Sequence, residues 1–256
     1  MNSDKIQAFP EGDTEDAVLT ALCSAQIESR HKKGQSGEEQ QNKNLALYLR
    51  DFFDRPDSSH GCLRILIVRD QDDREIHSVV DSVANILREV GPKARLDPTL
   101  QLVSHPQHDR VFVAPESPLL RLVLHVSGDP AIQQSFPDVC KLTMDDHVLG
   151  LALCPKTAHR MLEARHKSRR TIGAERLIAK VTKEIPDLLS QNGMTPFVAS
   201  KDHIRFYSAL LGISTSPAEF AKTVLKNADE SELRTHFASL LGAVGALSDP
   251  ASRLAG

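Results

Sequence analysis

Two short acidic runs hold the residues best suited to chemistry in this sequence. The first is Glu11-Gly12-Asp13-Thr14-Glu15 and the second is Asp70-Gln71-Asp72-Asp73. Each follows a stretch that reads as a strand and precedes one that reads as a helix. In open α/β sheets, loops at the carboxyl ends of parallel strands line the ligand crevice. If the two strands are neighbours, Glu11, Glu15, Asp70 and Asp72 converge at one edge. Crowded carboxylates repel one another, and a hard divalent cation such as Mg²⁺ relieves this while keeping water for chemistry. One or two such ions polarise a phosphodiester, activate water and stabilise the leaving oxygen. Gly12 permits tight backbone geometry beside Glu11, and Glu15, on the first helical turn, can face back toward it.

E-G-x-T-E after a short strand, followed by a hydrophobic strand and D-x-D, resembles the Toprim (topoisomerase–primase) domain. The similarity is to its stand-alone and OLD-family nuclease branches. The resemblance covers about the first half of the chain. It implies a parallel-stranded α/β sheet and a Mg²⁺ or Mn²⁺ site held by Glu11, Asp70 and Asp72, with Glu15 completing it. It also implies cleavage of DNA or RNA, roles such as anti-phage defence or nucleic-acid processing, and work as a homo-oligomer or with a partner ATPase. Related nucleases often add an acidic pair before a hydrophobic helix and then a lysine. Asp145, Asp146 and Lys201 fall in those places as further metal ligands and a phosphate-stabilising cation. Toprim domains also place a second strand after the first helix. Ile27 to Lys33 is charged, so that strand is expected to be short or distorted.

Other readings of the same residues stand beside this one. Strand-D-x-D also resembles haloacid-dehalogenase-type phosphatases, which would act on small phosphoesters without Glu11, and nucleotide-sugar transferases. Aspartates also gather in turns and at helix N-termini for local reasons. A non-catalytic subunit that binds nucleic acid or a partner is the alternative from another class. A basic stretch supports contact with phosphates: Arg165, Lys167, Arg169, Arg170, Arg176 and Lys180 lie within 160–183, opposed there only by Glu163 and Glu175. The alternative is an ordinary solvated helix face. His105 and His108 lack a third ligand nearby and read as exposed, whereas His125 reads as a core histidine.

The elements that must position these residues follow from periodicity. Lys5–Phe9 and Leu63–Val68 read as strands, the second buried on both faces. Val111–Val113 and Leu122–Leu124 are further candidates. Helices are expected from Asp13 or Thr14, around Leu45–Phe53, and over Arg74–Val90 with Gly91-Pro92 as the stop. Ser29–Lys43 reads as an exposed loop. Beyond Gly128 the pattern is helical: Asp146–Leu153, Ala158–Arg165, Ala174–Leu189, Lys201–Leu211, Pro217–Asn227 and Glu230–Leu247. The expected organisation is an α/β domain over 1–128 and a mainly helical region over 129–256.

Composition narrows the class further. The chain has 256 residues, 40% apolar and 25% charged, with 31 Lys plus Arg against 34 Asp plus Glu. That balance excludes a polycationic coat for nucleic acid. Trp is absent and Tyr occurs twice, which excludes an aromatic base-stacking platform. Four scattered cysteines with no C-x-x-C pair argue against a zinc site or a disulfide scaffold. With no apolar run near ~20 residues and no secretory leader, a cytoplasmic protein without membrane attachment is expected.

Overall fold

The computed structural model describes residues 5–30, 38–54, 62–94, 97, 99–115, 117, 120–128, 142–165, 172–194, 197, 199–214 and 216–248. The chain divides into two compact units. The first comprises Met1–Ser127 with Ser239–Gly256, and the second is Gly128–Ala238. The break falls where the texture of the sequence changes, but the last segment groups with the α/β unit rather than with the helices before it.

In the first unit the described strands are β1 (Ile6–Pro10), β2 (Ile27–Ser29), β3 (Leu63–Asp70), β4 (Val103–Ser104), β5 (Val111–Val113) and β6 (Leu120–Ser127). They form one sheet in the order β2-β1-β3-β6-β5-β4. The first four strands in that order run parallel, and β5 and β4 are antiparallel additions at one edge. The helices are α1 (Asp13–Cys23), α2 (Glu38–Phe53), α3 (Ile76–Ala94) and, at the end of the chain, α11 (Ala238–Ser248).

β3 is buried because its β-branched run has apolar neighbours on both faces. Ile65 and Ile67 join a core with Phe9, Leu122, Leu124 and Val126 of the sheet, Leu49 and Phe52 of α2, and Val83 and Leu87 of α3. Leu66 and Val68, on the opposite face, are fully buried as well. Burial of an aliphatic side chain of this size contributes about 1.5–3 kcal/mol, so the central strands are the firmest frame for the loops that leave them.

The short strand expected after α1 is present, three residues long and pairing in parallel with β1 through Ile6–Ile27 and Ala8–Ser29; two other local expectations change. The polar stretch before Leu45 begins a helix at Glu38 instead of remaining loop. One apolar stripe (Leu45, Leu49, Phe52) suffices to seat that helix, and a polar outer face does not oppose it. Finally, α3 runs through Gly91-Pro92 to Ala94. Its apolar face outweighs one proline placed in the last turn, where only one hydrogen bond is lost.

In the second unit the described elements are helices: α4 (Met144–Ala152), α5 (Pro155–Arg165), α6 (Ala174–Ala179), α7 (Ile185–Gln191), α8 (Ser200–Leu211), α9 (Pro217–Asn227) and α10 (Glu230–His236). The helix expected over Ala174–Leu189 is interrupted by a π-helical turn at Lys180–Glu184, just before Pro186. A proline lacks the N–H and crowds the carbonyl one turn earlier, and the wider turn accommodates both effects. Among the described residues no helix is long and apolar enough to cross a membrane.

Candidate functional site

β2 and β3 flank β1 on opposite sides, so the chain reverses its direction of travel across the sheet between β1 and β3. Open α/β sheets form their ligand crevice at such a reversal, outside the carboxyl ends of the strands. Pro10 pairs with Val68 in the parallel register, which sets the next residues, Glu11 and the Asp70 loop, side by side. The Asp70 backbone N–H donates to Glu11 Oε2 at 2.9 Å, joining positions 59 apart in the chain.

Glu15 completes the local geometry of the first motif. It is buried on the first turn of α1. Its carboxylate lies over Gly12, where an added Cβ would come within 2.8 Å of Glu15 Oε2. The space above Gly12 is therefore taken by Glu15 itself. The cap position of α1 is Gly12, and Asp13 and Thr14, where the helix is expected to begin, lie in its first turn.

The second motif turns sharply. Asp72 has φ +54°, a left-handed conformation that aspartate tolerates better than most residues. Arg74 wires the loop: its Nη2 donates to the Asp70 carbonyl at 3.1 Å and lies 3.9 Å from Asp72 Oδ2. From the β4–β5 connection, Arg110 donates to Gln71 Oε1 at 2.5 Å and to the carbonyls of Val126 and Ser127 at 2.9 and 2.8 Å. The middle residue of D-x-D is thus tied to the end of β6.

Arg69 sets the electrostatics. Its side chain is 6% exposed, and Nη1 lies 3.6 Å from Glu11 Oε2, on a carboxylate side chain 5% exposed. Burial pushes the Glu11 carboxyl up, against the pull of Arg69 and the Asp70 N–H, and Asp72 adds repulsion. Burial lowers the Arg69 guanidinium from its usual value, while Glu11, Glu15 and Asp70 favour its charge and Arg74 opposes it.

Glu11, Asp70 and Asp72 carry the hard oxygen donors that a divalent cation takes. As placed, among the described residues, no group of three or more His, Cys, Asp or Glu side chains is gathered closely enough to hold an ion. Arginines stand among the carboxylates instead.

Asp145, Asp146 and Lys201 belong to the second unit. Asp146 is fully buried; its Oδ2 accepts the Thr143 N–H at 2.6 Å in a capping box of α4, and its Oδ1 accepts the Ser200 hydroxyl. One oxygen thus serves the α4 terminus and the other ties α4 to the first residue of α8, which accounts for an aspartate here without a ligand. Asp145 is buried with Lys201 Nζ 3.6 Å from its Oδ2. In the basic stretch, Arg165 and Arg176 are exposed, and Lys180 sits 3.9 Å from Glu184. Lys167, Arg169 and Arg170 lie outside the described residues. His125 is buried, as expected. His105 and His108 are half-buried and stacked, with ring centroids 4.8 Å apart.

Sequence reasoning missed Arg69, Arg74 and Arg110. The first two were visible as the flanks of R-D-Q-D-D-R, where basic residues against an acidic run signal internal charge compensation. Arg110 left no such signal. Compared with known proteins, the chain matches no family model, no curated protein and no solved structure at a significant level.

Proposed function

We propose that the first unit is a Toprim-like, divalent-metal-dependent nuclease that hydrolyses phosphodiesters of DNA or RNA. The observation that carries this reading is the 2.9 Å contact between Glu11 and the Asp70 backbone at the reversal point of the sheet. It joins the two motifs at the position where this fold class binds ligands. Glu11, Asp70 and Asp72 would hold Mg²⁺ or Mn²⁺. When bound, that ion supplies Lewis-acid polarisation of the phosphoryl oxygen and an activated water. The protein's own contribution is positional. The Asp70 N–H orients Glu11, Gly12 leaves room for Glu15, and Arg74 and Arg110 fix the D-x-D loop. The exposed arginines of the second unit suit contact with a phosphate backbone.

The experiment is cleavage of labelled DNA and RNA with Mg²⁺, Mn²⁺ or EDTA. We expect metal-dependent cleavage that falls at least about 100-fold in Asp70→Asn, the scale of losing one electrostatic element of a site. The arginines standing among the carboxylates favour a second reading, a non-catalytic binding subunit whose acidic edge is internally neutralised. Binding that persists in EDTA and in Asp70→Asn, with no cleavage, would establish that reading instead. Turnover of an aryl phosphate that needs Asp70 but tolerates Glu11→Gln would point to a phosphatase.

A further inference from the structure

Cys154 and His236 form a side-chain pair that the proposed nuclease site does not use. Both belong to the second unit, and both are half-buried. Cys154 Sγ lies 3.2 Å from His236 Nε2. A thiol within hydrogen-bond reach of an imidazole is the arrangement that activates a cysteine nucleophile, because the attacking species is the thiolate. The half-buried Cys62 thiol, by contrast, donates only to the Leu63 carbonyl, at 3.8 Å, among the described residues.

The surrounding helices hold the pair in place. Cys154 directly precedes α5, and its carbonyl accepts the Ala158 N–H at 2.9 Å. His236 is the last residue of α10. Thr157 Oγ1 donates to Glu232 Oε2 at 2.8 Å, and Arg160 Nη2 lies 2.5 Å from Asp229 Oδ1, so two contacts tie α5 to α10. His147 anchors the base. Its Nε2 accepts the Gly128 N–H at 3.2 Å, so its Nδ1 carries the proton and donates to the His236 carbonyl at 2.8 Å. An anion is favoured at the start of a helix and a cation at its end. The thiolate and imidazolium left by proton transfer each sit at the matching terminus.

We propose that Cys154 is a modification site that exchanges with small disulfides, with His236 as its base. His236 Nε2 takes the Sγ proton, and the sulfur attacks one sulfur of the incoming disulfide. A bond from Cys154 to that sulfur forms, the original S–S bond breaks, and the departing thiolate takes the proton from His236. Cys154 is oxidised and the released thiol is reduced, with no further reactant. The inference does not rest on the metal-dependent reading.

The test exposes the full chain to glutathione disulfide and, in parallel, to an aryl disulfide that releases a coloured thiolate. Adducts are mapped by peptide mass spectrometry at successive times. We expect Cys154 to react at least about tenfold faster than Cys62, the low side of what a positioned base supplies. His236→Gln keeps a polar side chain but cannot take the proton, and should slow Cys154 at least about tenfold while leaving Cys62 unchanged. Cys154 reacting no faster than Cys62 would overturn the proposal. So would an unchanged or faster rate in His236→Gln, which would make the imidazole a structural neighbour or a shield. If that variant does not fold, the comparison of Cys154 with Cys62 in the unaltered chain decides, with Cys154→Ser expected to remove the fast phase.

Discussion

Gly12 shows how closely the first motif is built. An alanine Cβ there would meet the end of the Glu15 side chain at 2.8 Å. Because the opposing atom ends a side chain, it can swing away, so Gly12→Ala should cost only about 1 kcal/mol of stability, the low end of overpacking. The displaced carboxylate should nonetheless weaken Mn²⁺ binding at least severalfold. A melting curve and a Mn²⁺ titration on the same sample separate the two effects. A large loss of stability with unchanged binding would show that Glu15 is structural only. In the second motif, by contrast, the spacing of D-x-D was legible and its geometry was not. The left-handed Asp72 and the hold of Arg110 on Gln71 depend on a connection about forty positions away.

At the scale of elements, the packing of α8 makes a pH prediction. His203 is buried, its Nδ1 lies 3.0 Å from the Val181 carbonyl, and its ring meets Phe197 edge-on. Burial holds its pKa below the ordinary 6.5, outweighing the opposing pulls of the Val181 carbonyl and Asp202. The unfolded chain therefore takes up a proton that the folded chain resists. Stability from this residue is present above about pH 6.5 and is lost as pH falls below it. Thermal melts between pH 5 and 8 should show an acid-side decline of the second unit that His203→Gln reduces. Equal declines in both proteins would remove His203 from the account. Long periodic elements such as β3 and α3 were readable because their apolar residues repeat. The three-residue β2 carries no such repeat, and its strand conformation comes from hydrogen bonding to β1.

Across the whole molecule, the notable feature is the return of the chain to its first unit. In α11, Leu240, Ala243, Val244 and Leu247 are buried. Gly242 lies against the His108 ring, where an added Cβ would come within 2.6 Å, and the Ser239 hydroxyl donates to the Asp109 carbonyl at 2.5 Å. Truncation after Ala238 should therefore loosen the β4–β5 connection while α4, α8 and α9 keep their protection. Hydrogen exchange resolved by peptide is the check, and unchanged exchange around His108 would contradict it. This also explains why a boundary at 128 captured only part of the organisation. Periodicity marks helices but does not say which core receives them.

The sequence alone determined the α/β class, the main strands and helices, and the two acidic motifs with their spacing. These rest on local pattern: alternation, helical repeat and turn composition act over a few residues. Tertiary structure decided that the motifs meet, through a parallel register between strands nearly sixty positions apart. It also decided that arginines share their edge and that the last helix belongs to the first unit. Those outcomes depend on burial and charge balance among distant groups. A carboxylate's environment is fixed by whichever residues fold against it, and no local pattern specifies them.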